Sequence, residues 1–503
     1  MRRARPLFVT LLCLVPLAAA GCGSSGSGNS ASSPLDNALG YMPKSAPLIV
    51  EIDTDLNDSQ WQSLSANVQK FPFAGQVKSQ LKDAINSTGI NYDKDVKPLL
   101  GNEAVLGAPT VQATVGSSVQ FVGAIQVKDK GKLEGLLKNS KDLHADGSSH
   151  GATLYKQDDG GETAQQNDVL LAADTKAQLE QALEQRDKSD RLTEDQFNSA
   201  LSDLPKDALL RVYTDLQALI GGSPSASQAR QVKWVAALRT LGVTGSATDN
   251  AISFDVNVKT DPLNLTDADI PIATGDQSPG VLGNRGELVF GLRGVSQVVQ
   301  FAQGVAQTIS PGSFGDFARA KATIGQQLGI DVDKDVIQQF SGDTSVAIGL
   351  DGNFAARAEL QDPAAFTKTL AKLAQVAPEF ANGVGFQGAK LTKSRGLYKL
   401  TGKGKSKDVY FGVVNNVFVI ATQPARIAQL ASQTPKPVDG AKGAFATSSD
   451  AGAIVAAVIS QISGGSLGAT LGGGLASAPL GNLDGWAGAS TSGIKAHLQL
   501  EIK

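Results

Sequence analysis

Asn91, Asp93 and Asp95 put side-chain oxygens at every second position, and 240 residues later Asp331, Asp333 and Asp335 do the same. A calcium loop gathers its first ligands at that spacing. Its other requirements are missing. The sixth position, where such a loop turns on glycine, holds Val96 or Val336. The twelfth, where a bidentate Glu closes the shell, holds Asn102 or Gly342. Two readings remain for Asp93, Asp95, Asp333 and Asp335. As caps, they accept backbone N–H bonds at a corner between helix and strand. As ligands, they form a duplicated weak cation site.

Other chemistry is thinly supplied. Gly402-Lys403-Gly404-Lys405-Ser406 ends as a phosphate loop does, but the place of its first glycine is taken by Lys399, and the run joins two strands instead of opening a helix. His144 and His150 sit in a polar, glycine-flanked stretch that reads as a surface loop, and His497 falls in a strand pattern near the end of the chain. Three histidines in all undersupply a serine triad or a zinc centre. The sequence therefore assigns no catalytic residues, no metal and no cofactor. An envelope hydrolase whose Ser, Asp and Glu meet only in three dimensions is the alternative.

Ala451 to Leu483 contains no Asp, Glu, Lys or Arg across 33 residues. Gln461 and the clusters Gly464-Gly465 and Gly472-Gly473-Gly474 interrupt the run that a membrane-spanning helix requires. One reading is a buried helix from Ala453 to Ile462 followed by a loop. The sharper one is an uncharged flap over an apolar cavity or against lipid, offering Ile454, Val455, Val458, Ile459, Ile462, Leu467 and Leu471.

The elements that must position these residues come in two sets. Gly89 to Val96 returns as Gly329 to Val336 with six identities in eight residues. Other segments follow in the same order. Phe121 to Lys138 answers Phe354 to Leu373, and Asn167 to Gln181 aligns without gaps on Asn415 to Gln429. Gly242 to Lys259 answers Gly485 to Lys503. A repeat this long is a whole domain copied. Alternating segments read as strands at Pro47 to Asp53, Glu103 to Gly107 and Phe121 to Val127. Helical patterns cover Ser59 to Phe71 and Gly75 to Ile85, and an apolar helix is expected around Val232 to Leu241. Strands pair across short turns, as at Val409 to Val414 and Val417 to Thr422 around Asn415-Asn416. The expected fold is α+β: two similar lobes, each a mainly antiparallel sheet with helices covering one face. Lobe one spans residues 36–260, a Pro- and Asp-rich connector 261–283, and lobe two 284–503.

The start of the chain bears on compartment. Arg2, Arg3 and Arg5 precede the apolar run Leu7 to Ala20, so residues 1–21 read as a secretory signal and 22–35 as a flexible tether. Leu17-Ala18-Ala19-Ala20-Gly21-Cys22 resembles a bacterial lipobox. That resemblance implies a diacylglycerol thioether and an N-acyl chain such as palmitate on Cys22, anchoring the protein to the extracytoplasmic face of the cell membrane. Cys13 leaves with the signal, so Cys22 is the sole mature cysteine, which excludes disulfides and thiol catalysis. Without the three signal arginines the 45 basic side chains fall to 42 against 48 acidic ones, a formal charge of −6. That balance disfavours nucleic acid, whose binding relies on clustered Lys and Arg.

Ala46-Pro47-Leu48-Ile49-Val50-Glu51-Ile52-Asp53, followed by Tyr92 to Glu103 (YDKDVKPLLGNE), resembles a large bacterial family catalogued as domain of unknown function 3352. The resemblance implies fold and compartment and carries no site residues. The expected function is a non-catalytic, lipid-anchored envelope protein of binding or scaffold type. Its partners are the membrane, through the anchor, and an apolar small molecule or another envelope protein.

Overall fold

The computed structural model describes residues 32–503 apart from 87–89, 115–119, 141, 159, 224–225, 384–385, 404–406 and 463–477. The fold is α+β, and every strand pairing described below is antiparallel. Two compact units divide the chain. The first gathers residues up to Ser227 with Arg239–Val258 and Ile502–Lys503; the second holds Gln228–Leu238 and Lys259–Glu501. The segment read as a connector, 261–283, is counted in the second unit.

The first unit contains β1 (Leu48–Ile52), β2 (Ala104–Ala108), β3 (Val122–Gln126), β4 (Leu143–Ser149), β5 (Ala152–Gln157), β6 (Glu162–Gln166), β7 (Val169–Ala173), β8 (Leu210–Asp215), β9 (Leu238–Thr248) and β10 (Ala251–Thr260). Pairing runs β9-β8-β1-β2-β3-β7-β6-β5-β4. Helices Ser59–Gln69 and Ala74–Asn86 fill the connection from β1 to β2.

The second unit contains β11 (Gly280–Val281), β12 (Glu287–Arg293), β13 (Asp343–Gly349), β14 (Phe354–Glu359), β15 (Lys390–Ser394), β16 (Leu397–Thr401), β17 (Val409–Val414), β18 (Val417–Ala421), β19 (Lys436–Pro437), β20 (Phe445–Asp450), β21 (Leu480–Ser490) and β22 (Gly493–Ile502). Its order is β21-β20-β12-β13-β14-β18-β17-β16-β15. Helices Val295–Ile309 and Pro311–Leu328 lie between β12 and β13. Strand for strand, this is the pairing order of the first unit. β11 and β19 form a separate two-stranded ribbon.

Helices cover both faces of the first unit's sheet, not the one face expected. β7 explains why. All five of its residues are buried, with Leu170 and Ala172 packing on Trp61, Leu133 and Leu137, and Val169, Leu171 and Ala173 packing on Leu35, Leu179 and Phe197. A continuous apolar run of this kind marks a strand covered on both sides. In β18 likewise, Val417, Val419 and Ala421 face Ile427 and Leu430, whereas Phe418 turns to the opposite face. There the Phe340, Phe366 and Phe418 rings meet edge to face with centroids 5.3–5.7 Å apart.

The hairpin at Asn415-Asn416 forms as its residues suggest. Both asparagines are left-handed, with φ of 51° and 66°, which fits the primed turn that joins two twisted strands. The helix expected at Val232 to Leu241 is shorter. It spans Lys233–Ala237, and β9 begins at Leu238. Thr240 to Gly245 pair with Asp215 to Leu210 of β8, and this ladder overrides an apolar run that periodicity alone leaves ambiguous.

Candidate functional site

The repeated acids close a corner in each unit. Asn91 Oδ1 accepts the Lys94 N–H (3.0 Å), and Asp95 Oδ2 accepts the Asn91 N–H in return (2.8 Å). In the second unit Asp331 Oδ1 accepts from the N–H groups of Asp333 and Lys334 (3.0 and 3.1 Å), and Asp335 Oδ2 accepts from Asp331 (2.8 Å). Asp93 pairs with Lys82 at 2.8 Å, and Asp333 with Lys321 at 2.7 Å. Each lysine comes from the preceding helix, so the device pins that helix to the corner. Val96 and Val336 then turn into the core beside Leu99 and Phe340 respectively. Among the described residues no group of three or more His, Cys, Asp or Glu is placed to hold a metal ion. A pocket of about 470 Å³ lies beside the first corner, lined by Asp95, Asp129 and Lys132 and by Gly131 and Gly135 of helix Lys130–Asn139.

A larger concavity than that one lies in the second unit, where a ladder is shortened. In the first unit β1 and β8 pair over five residues, from Leu48 opposite Thr214 to Ile52 opposite Leu210. The β12–β20 ladder covers only three, from Phe290 opposite Thr447 to Leu292 opposite Phe445. At Val289 side chains take over: its N–H donates to Ser449 Oγ (2.9 Å), and its carbonyl accepts from Thr447 Oγ1 (2.8 Å). Beyond them a cleft of about 910 Å³ is lined by Val281, Leu282, Val289, Arg285, Lys436, Ser448, Asp450 and Asn482, among others. Asp450 stands directly before helix Ala451–Ile462 and caps it, its Oδ1 accepting the Ala453 N–H at 2.8 Å. Across β20 and β21, Asp450 is the ladder partner of Asn482. Both ends of the charge-free stretch thus meet at the cleft.

Helix Ala451–Ile462 is less buried than its sequence suggests. Ala451 is buried, but Ile454, Val455 and Val458 are only half-buried. The side chains of Ile459 and Ile462, and the whole of Leu467, Leu471 and Cys22, lie outside the described residues.

Comparison with known proteins decides the family. Residues 7–394 match the family described as protein of unknown function (DUF3352). The chain belongs to that family. No curated protein matches this DUF3352 chain. Among solved structures, crystal form III of TP0453 is 8% identical over 46% of this chain and 82% of its own, and crystal form IV is 9% identical over 44% and 80%. The TM-score is 0.27 in both cases.

The DUF3352 chain also buries charge. Glu51 Oε2 accepts from Arg211 Nε at 2.6 Å, with the Glu51 side chain 2% exposed and that of Arg211 9%. Arg211 Nη1 donates to Asn198 Oδ1 (2.8 Å), and the guanidinium lies 5.2 Å from the Phe197 ring centre. Burial pushes the Glu51 carboxyl up to about 7 against the pull of Arg211. Asp53 is pushed up to about 6, again first by burial, although the Asp55 N–H bond opposes it. Both carboxyls also feel the negative charge of Glu103.

Two histidines of this DUF3352 member belong to one hairpin, His144 on a strand where a loop was expected and His150 in the connecting turn. His144 is on β4 and His150 at the turn into β5, and both are solvent-exposed. His144 Nε2 lies 2.7 Å from Asp158 Oδ1, and His150 Nδ1 lies 3.1 Å from Asp187 Oδ2. The structure brings neither to the other's partner. His497, on β22, stacks near Trp486 with ring centres 6.4 Å apart. Sequence reasoning missed the cleft and the Glu51–Arg211 pair. The polar run Thr447-Ser448-Ser449-Asp450, which ends β20, was the local trace of the cleft.

Proposed function

We propose that this DUF3352 protein is a non-catalytic binding protein of the cell envelope, held by acyl chains on Cys22 at the extracytoplasmic face of the membrane, and that it receives an apolar or lipid-like ligand in the second unit. The cleft between β12 and β20 carries this reading. It is large enough for a small organic ligand, has Val281, Leu282 and Val289 on its wall, and sits at both ends of the charge-free stretch. The anchor rests on the lipobox sequence, and the residues that follow are of tether composition. No helix among the described residues is long and apolar enough to cross a membrane. The two units read as copies of one ancestral domain, supported by their common pairing order and the repeated Asp-Lys-Asp-Val corner.

Native mass spectrometry of the protein purified from its own host tests the binding function. A co-purifying apolar mass is expected. Uniformly ligand-free protein, with an unliganded cleft in a crystal grown from it, would remove the reading. For the anchor, Cys22→Ala is expected to shift the protein from the membrane fraction to the medium. Its retention in the membrane would argue against acylation at Cys22.

A further inference from the structure

We propose that the cleft takes an acidic amphiphile, its phosphate or carboxylate held by Arg285 and Lys436 and its apolar stem laid on Val281, Leu282 and Val289. This rests on the binding reading above and specifies the ligand's chemistry. The hydrogen-bonding groups around the cleft decide the sign of the charge. Its main acceptors are engaged. Asp450 Oδ1 holds the Ala453 N–H, and Oδ2 holds Arg285 Nε at 2.9 Å. Asn284 Oδ1 and Gln433 Oε1 both accept from Gln429 Nε2, at 3.2 and 3.3 Å. Ser449 Oγ accepts from Val289.

Thr434, Ser448 and Asn482 add neutral side chains that can donate as well as accept, and the unused charged groups are both donors. Arg285 spends only Nε on Asp450, leaving both terminal nitrogens without a bond to any described residue, and Lys436 Nζ is likewise unbonded among the described residues. Two cations against one carboxylate leave the cleft positive in a chain whose net charge is negative. The Arg285 side chain is 82% exposed, so its planar fork can meet an oxyanion at the cleft mouth without moving buried structure. Val289 is buried and Val281 and Leu282 half-buried, which gives the stem an apolar wall. No aromatic side chain lines the cleft among the described residues, so the stacking surface that a neutral sugar ring uses is missing.

The test uses the full chain from residue 22 with Cys22→Ser, so that no acyl chain of its own competes. Calorimetric titrations below micellar concentration employ three probes: n-octyl phosphate, n-octyl glucoside and inorganic phosphate. Octyl phosphate is expected to saturate at one per chain and to bind at least about tenfold tighter than either other probe. The double variant Arg285→Gln, Lys436→Gln should lose that preference with an unchanged melting temperature, and Leu282→Asn should weaken octyl phosphate while leaving inorganic phosphate as it was. Equal binding of octyl glucoside would overturn the acidic head and leave the lipid-binding reading standing. Inorganic phosphate binding as tightly as octyl phosphate would overturn the stem. Saturable binding that survives the double variant, or none with any probe, would overturn the inference at this cleft. A ligand seen by native mass spectrometry would then still uphold the wider reading.

Discussion

Glu51 and Arg211 stand directly opposite each other in the β1–β8 ladder, while the matching rung of the β12–β20 ladder is Gly291 opposite Ala446. One unit spends a buried ion pair where the other has the two smallest side chains. The rest of each neighbourhood follows. Around Glu51 and Arg211 the space is filled by Phe197 and Asn198. Over Gly291 runs backbone: a Cβ built there would sit 2.9 Å from the Gly280 carbonyl oxygen and 3.2 Å from Pro279.

The raised Glu51 carboxyl makes the first unit's stability pH-dependent in a defined direction. Its folded value of about 7 exceeds the ordinary 4.5, so the native state holds the proton more tightly than the unfolded chain. The resulting stabilisation is complete below about pH 4.5 and is lost as pH rises through 7. Asp53, raised from 3.8 to about 6, acts in the same direction over a lower window. For Glu51 the full swing is on the order of 3 kcal/mol. Thermal melts of wild type and Glu51→Gln between pH 4 and 8 should diverge, with the variant gaining on wild type as pH rises. Parallel curves would rule the effect out.

Removing one partner should cost more than removing both. Arg211→Ala leaves Glu51 buried without its cation and Asn198 without its donor, a loss of about 3–5 kcal/mol. Glu51→Gln in the same chain relieves the unpaired carboxylate, so the double variant should melt above Arg211→Ala. Urea unfolding followed at Trp61, in the adjoining core of the same unit, measures the difference. Additive losses would show that the two side chains do not act as a pair.

The corner acids give a sharp contrast between cap and ligand. Asp335→Ala removes the acceptor for the Asp331 N–H, at a cost of about 1 kcal/mol, and Asp333→Ala removes the Lys321 ion pair, worth at most about 1 kcal/mol. Neither loss should depend on calcium. Melting temperatures in millimolar calcium and in chelator are expected to coincide for wild type and both variants. A calcium-dependent rise in wild type alone would restore the cation site.

How far the sequence could be read depended on how local each signal was. The corners, the strand Pro47 to Asp53 and the turn Asn415-Asn416 were legible because caps, alternation and left-handed asparagines act within a few residues. The boundary at Leu238 was not, since the run Val232 to Leu241 is mostly apolar and only the distant β8 makes its second half a strand. β7 could have been read better: its unbroken Val-Leu-Leu-Ala-Ala already announces two covered faces. The cleft was out of reach. It arises from two missing rungs between strands about 160 residues apart, and nothing near Val289 signals that Ser449 will replace a backbone partner.

Gly291 links that absent pairing to the cleft. β11 crosses over it so closely that any Cβ must displace the Gly280 carbonyl, which is backbone and cannot rotate aside. β11 in turn pairs with β19, Gly280 opposite Pro437 and Val281 opposite Lys436, and these strands carry Val281 and Lys436 to the cleft. Gly291→Ala should therefore destabilise the second unit by about 1–3 kcal/mol, as overpacking does. Because the displaced strand is a cleft wall, the same methyl group should also weaken octyl phosphate binding, whereas Ala446→Gly on the facing strand should not. Calorimetry on the two variants beside their melting curves separates the effects. If Gly291→Ala melts lower yet binds as wild type does, the ribbon of β11 and β19 does not shape the ligand site, and the apolar stem must lie against Leu282 and Val289.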